Sequence, residues 1–160
     1  MQSLTNGSLN FKWHMGSDMK KSLFTLVVFL TVTICYGQTL APDAQVIAND
    51  IGIEEISLIQ LRSALRGELS QWPSKQPVTV ILHSTSMDEC ALTSSFVVNS
   101  PRPAVLQKFW MGLVFGGRAT PPVFAKSQAE LIEAIRSTPG SVGLIYGSKA
   151  PKELVILLKD

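Results

Sequence analysis

Leu23–Ile34, twelve consecutive uncharged residues reading LFTLVVFLTVTI, decides how much of this chain is available to fold. A helix that crosses a bilayer needs roughly 20 such residues, so this run is too short to span one. It follows Met19-Lys20-Lys21 and ends at Cys35-Tyr36-Gly37. A short basic region, an apolar stretch and small residues at the −3 and −1 positions are the parts of a secretory signal peptide. Met19–Gly37 is expected to be one, cleaved after Gly37. Ile34 stands where a lipobox needs a small residue, so ordinary cleavage is expected rather than lipidation at Cys35. Met1–Asp18 is polar and aperiodic, upstream of a better start at Met19, and reads as a mis-assigned start.

Of 160 residues, 37 are then removed and 123 remain, enough for one ordinary domain at residues 38–160. These carry eleven Lys and Arg against eleven Asp and Glu, a net charge of zero. Without a basic excess the chain is no nucleic-acid binder. Cys90 is the one Cys left and His83 the one His. A single cysteine excludes an internal disulfide and a four-Cys zinc site, so packing alone must hold the core. Cys90 itself reads as a small buried hydrophobe. Asp88, Glu89 and Cys90 are consecutive and fan out around a helix, which gives no metal-ligand set. No nucleophile elbow, P-loop or dinucleotide fingerprint is present, so no enzyme is expected.

Gln45–Asn49 is a β-prone run, and Asp50-Ile51-Gly52 turns the chain. Ser57 is a good N-cap for a helix through Arg66, with Leu58, Leu61 and Leu65 as its apolar stripe and Gly67 just past its end. Val78–Leu82 is a strand rich in β-branched residues. A helix from about Met87 to Val98 follows, its buried face formed by Met87, Cys90, Ala91, Val97 and Val98. Ser100 and Pro101 are expected to open another, with Leu106, Phe109, Trp110 and Leu113 as its stripe. Gly116-Gly117 ends that helix, Arg118 follows as a positive group near a cleft, and Pro121-Pro122 marks an extended loop. Ser127 and Glu130 form a capping box for a helix to Arg136 that buries Leu131, Ile132 and Ile135. Val142–Tyr146 and Leu154–Leu158 are the last strands. Strands alternating with helices predict an α/β domain of three layers, with a mixed, mostly parallel sheet of about four strands.

Four phrases occur in the order of a known family: Ile56–Trp72 (ISLIQLRSALRGELSQW); Val78–Leu82; Phe96 with Phe109-Trp110 and Phe115-Gly116; and Thr138–Tyr146 (TPGSVGLIY). Over roughly residues 45–147 the chain resembles the second lobe of type II periplasmic binding proteins, in the phosphate-binding (PstS-like) branch of ABC-transporter substrate-binding proteins. The resemblance implies a PBP-like α/β domain, periplasmic and non-catalytic, without a cofactor and without a membrane span in the mature chain. It also implies a single lobe of what is elsewhere a two-lobed clamshell.

In that family the loop after the second strand holds phosphate with an Arg and a Ser-Gly-Thr stretch at a helix entrance. By resemblance, Ser84, Thr85 and Ser86 are the ligand-binding residues here, and His83 stands near the place of the Arg. The Gly is missing, and Asp88 and Glu89 follow at once. Like charges a few ångströms apart cost about 1–4 kcal/mol. That rivals the roughly 1.5–3 kcal/mol of a charge-assisted hydrogen bond. Binding of a small oxyanion is therefore expected to be weak. The alternative is a ligand-free envelope interaction module, whose freed inter-lobe face takes a protein partner or a second copy.

Overall fold

The structure, a computed structural model, describes residues 40–147 and 150–159. The expected signal peptide at Met19–Gly37, the segment upstream of it and the question of lipidation at Cys35 lie outside the described residues. In chain order the elements are β1 (Ala44–Asn49), β2 (Glu55–Ser57), α1 (Leu58–Leu65), β3 (Thr79–His83), α2 (Glu89–Val98), α3 (Pro103–Phe115), β4 (Val123–Ala125), α4 (Gln128–Ser137), β5 (Ser141–Tyr146), a 3-10 turn (Lys152–Leu154) and β6 (Val155–Lys159). They form one six-stranded sheet in the order β2-β6-β1-β5-β3-β4.

Pairing is parallel for β3 with β4, β3 with β5 and β2 with β6. It is antiparallel for β1 with both β5 and β6. The expected mixed three-layer α/β fold is present, with two strands more than expected. Strands β2 and β4 have three residues each, too few for a period of two to show in the sequence.

The two faces of the sheet follow the strand alternation. Val46, Ala48, Val80, Leu82, Val142 and Leu144 share a core with Leu61, Leu65, Phe96, Val97, Leu106 and Trp110 of α1–α3. Ile47, Ile81 and Ile145 face Leu131 and Ile135 of α4.

Helix α1 is capped as expected, with the Gln60 N–H donating to Ser57 Oγ at 3.2 Å. Its buried stripe is Leu61, Ala64 and Leu65, while Leu58 lies at the surface. Helix α2 begins at Glu89 rather than Met87 and buries Cys90, Thr93, Ser94, Phe96 and Val97. Helix α3 begins at Pro103, two residues later than expected, because the Arg102 N–H donates to Ser100 Oγ at 3.4 Å in a turn ahead of it. Of the expected capping box of α4, the Ser127 half is formed, while Glu130 reaches past the N-cap to the residue before it. The Glu130 N–H donates to Ser127 Oγ at 3.1 Å, and Glu130 Oε2 accepts from Lys126 N at 2.8 Å.

One joint ties the sheet to its connections. The Gly140 N–H donates to Asn49 O at 2.7 Å, and Gly140 O accepts from Thr79 N at 3.0 Å and from Trp72 Nε1 at 2.8 Å. Asn49 Nδ2 in turn donates to Ile135 O at 3.1 Å and Arg136 O at 2.9 Å, closing the end of α4.

Candidate functional site

Strands β3, β4 and β5 run parallel, so their carboxyl ends meet on one edge of the sheet. In open α/β sheets ligands gather outside such ends. Here β3 delivers His83, β4 Ala125 and β5 Tyr146.

The chain leaves β3 through the turn Ser84–Met87. The Ser84 N–H donates to Ala125 O at 2.7 Å, and the Met87 N–H closes onto Ser84 O at 3.0 Å. The hydroxyls of Ser84 and Ser86 lie 3.2 Å apart. Thr85 and Ser86 are exposed and Ser84 is half-buried. Among the described residues no backbone acceptor takes the N–H of Thr85 or Ser86. The hydroxyls lie ahead of α2 as expected, but the helix they lead into starts at Glu89 rather than Met87. The N-cap is Asp88, in helical conformation and without a side-chain cap bond.

His83 is not in the loop. It is the last residue of β3, 1% exposed, and its Nε2 has no hydrogen-bond partner. Its ring centroid lies 5.8 Å from that of Tyr146. Burial holds the imidazole below its ordinary pKa, and the Glu89 carboxylate partly offsets this.

Around it lies a polar network. Thr93 Oγ1 donates to Glu89 O at 3.2 Å and lies 3.0 Å from the Tyr146 hydroxyl. Gln128 Nε2 donates to Glu89 Oε1 at 3.1 Å and to Tyr146 O at 2.9 Å. Burial pushes the Tyr146 phenol up to about 12, with the Thr93 hydrogen bond opposing. Sequence reasoning missed Thr93, Gln128 and Tyr146 as members of this site, and found Glu89 only as a repelling charge. No local signal joins residues so far apart in the chain.

At neutral pH the edge thus offers the Ser84–Ser86 hydroxyls and the Thr85 and Ser86 N–H groups beside the acids Asp88 and Glu89, while the neutral His83 imidazole and Tyr146 phenol are buried. Such a set can hydrogen-bond a small ligand but supplies no positive charge. Arg118 lies elsewhere, lining a cavity of about 340 Å³ with Gly67, Ser70, Trp110 and Thr120. Trp72 is buried and structural. Burial raises the Cys90 thiol, which makes it a poor nucleophile at neutral pH.

A pH dependence follows from His83. Its folded pKa lies below the ordinary value of 6.5, so the unfolded chain takes up the proton first. Stability should be full above that value, decline as the pH falls below it, and level off once folded His83 is also protonated. Urea denaturation between about pH 8 and about pH 5 measures the slope. His83→Phe should flatten it, and an equal slope in both proteins would exclude His83 as its source.

No family model and no curated protein matches this sequence. Among solved structures the chain is similar to an ABC-type phosphate transport receptor from Vibrio cholerae. The identity is 12% and the TM-score 0.46, over 72% of this chain and 46% of that one. It is also similar to a Clostridium perfringens protein assigned as a phosphate ABC transporter substrate-binding protein and solved with bound phosphate. There the identity is 13% and the TM-score 0.46, over 73% of this chain and 44% of that one. The chain spans less than half the length of either structure. Among the described residues no helix is long and apolar enough to cross a membrane.

Proposed function

We propose that this chain is an exported, non-catalytic solute-binding-like domain, a single lobe, which holds a small oxyanion such as phosphate weakly at the turn Ser84–Ser86. One observation carries the reading. Two serine hydroxyls 3.2 Å apart lie on one turn at the carboxyl ends of parallel strands, beside backbone N–H groups that no backbone acceptor takes. The resemblance of the same stretch to the family's phosphate loop supports the reading. Weakness follows from the surroundings: His83 is buried and neutral, and Asp88 and Glu89 oppose an anion. A Kd on the order of millimolar corresponds to about 4 kcal/mol of binding, what a few uncharged hydrogen bonds on an open surface provide.

Thermal melts in phosphate, sulfate and other small anions test this. A ligand at a hundredfold excess over its Kd stabilises the folded state by about 2.7 kcal/mol. The expected result is a rise in Tm with selected anions that disappears in the Ser84→Ala, Ser86→Ala double variant. A flat panel, or a rise the double variant keeps, would overturn the oxyanion reading.

The second reading, a protein-interaction module, is favoured by apolar side chains standing in the open on α3 and β4. They are Met111, Phe115, Val123 and Phe124.

A further inference from the structure

Strand β4 ends the sheet: β3 pairs with one of its edges, and among the described residues no strand pairs with the other. Beside it, α3 and the Pro121-Pro122 segment enclose a groove of about 210 Å³ lined by Trp110, Met111, Val114, Phe115, Pro122 and Phe124, among others, with no charged residue. Phe115 is 83% exposed and Met111 49%. Single exposed apolar residues are ordinary, but a contiguous set along an open strand edge marks a docking surface.

Trp110 adds a polar requirement. It is 2% exposed, and among the described residues its indole N–H has no acceptor. A Cβ added at Gly67 would lie 2.9 Å from Trp110 Cη2, so the benzo end of the ring abuts Gly67 and the N–H belongs to the other end. A buried donor without an acceptor is costly, and a small opening of the groove that admits an oxygen from a partner would remove that cost.

Charge narrows the partner further. From Cys90 to Gln128 the sequence has no Asp or Glu, yet it contains Arg102, Lys108, Arg118 and Lys126. None of these four takes part in the salt bridges among the described residues, which join Arg66 to Glu68 and Arg136 to Glu133 and Glu153. Lys108, Arg118 and Lys126 each lie within three residues of a groove residue. The groove is apolar, and the charged side chains of its own stretch of chain are all cationic, with the Glu130 carboxylate next to Lys126 just beyond it.

We infer that this face docks an extended segment of a partner protein in which acidic and apolar residues alternate. The proposal rests on the interaction-module reading and names its occupant. The segment adds to the free edge of β4 through main-chain hydrogen bonds and seats its apolar side chains in the groove. It brings an oxygen to the Trp110 indole and sets its carboxylates toward Lys108, Arg118 and Lys126.

Selection of a displayed random decapeptide library against the full chain tests this. The enriched peptides should alternate apolar residues with Asp or Glu, and should shift the Trp110 indole N–H resonance. They should bind at least about tenfold more weakly to Phe115→Asp, a change at an exposed position that leaves the fold intact. Trp110→Phe keeps a ring and removes the N–H, and should weaken them by about fivefold, the worth of one hydrogen bond. Enriched peptides that occupy this face but are basic or uncharged would overturn the acidic occupant and leave the interaction reading standing. Enrichment indifferent to Phe115→Asp, or no enrichment, would overturn both for this face. Binding to phosphatidylglycerol vesicles, or dimerisation through Phe115, with no peptide selected would assign the face to lipid or to a second copy and overturn the proposal.

Discussion

Gly140→Val should leave no native population at room temperature. Gly140 sits at φ +75°, where a Cβ would collide with the Pro77 carbonyl and lie 2.8 Å from Gln76 Cβ. The left-handed conformation costs an L-residue about 1–2 kcal/mol, and more when it is β-branched. The collision is with backbone, which cannot step aside as a side chain would. Three hydrogen bonds converge on this residue, from β1, from β3 and from Trp72. Moving it loosens all three, at about 0.5–1.5 kcal/mol each. Together these approach the stability of a small domain, which lies near the lower end of about 5–15 kcal/mol. The amide NMR spectrum decides the matter: dispersed native peaks in the valine variant would show that the joint is softer than its geometry implies. Gly140→Ala should act in the same direction with a smaller effect.

Trp72→Ala should cost about 3–5 kcal/mol, the range for deleting a large buried aromatic side chain. Trp72 is 3% exposed although it lies in the connection between α1 and β3, and its indole N–H donates to Gly140 O. Trp72→Phe keeps most of the apolar contact and loses the hydrogen bond, and should cost about 1 kcal/mol beyond the lost ring area. Urea denaturation of the three proteins measures both differences. A cost below about 1 kcal/mol for the alanine variant would mean that the connection is not anchored to the sheet through this side chain.

The fold was legible where a signal was local and repeated. Ser57 and the Ser127/Glu130 pair marked two helix starts because a capping bond needs only three or four adjacent residues. Val78–Leu82 and Val142–Tyr146 were visible because a strand with both faces covered is apolar throughout. Strands β2 and β4 were not: Glu55-Ile56-Ser57 runs straight into α1, and Val123-Phe124-Ala125 follows two prolines that read as loop. The antiparallel direction of β1 was also hidden, since a strand carries no mark of how its neighbours will run. At the site, the hydroxyl run Ser84–Ser86 and its place ahead of α2 were plain, and the start of that helix at Glu89 was not. His83 looked like a loop residue because it follows an apolar strand, and only the register opposite Ala125 shows that the strand includes it. Thr93, Gln128 and Tyr146 meet only in three dimensions.

The antiparallel β1 also bears on the order of folding. It is flanked in the sheet by β5 and β6, the last two strands among the described residues, with Ala44 opposite Tyr146 and Asn49 opposite Ser141. A strand made early must therefore wait until Ser141–Tyr146 or Val155–Lys159 has been made before it finds either neighbour. Pairings over such separations make folding slow, because a long loop must close before any contact offsets its entropy. During synthesis the helices and the β3–β4 pair can form, but the middle of the sheet cannot. The chain stays open until its last two strands emerge, and the sheet then closes around β1 in one late step.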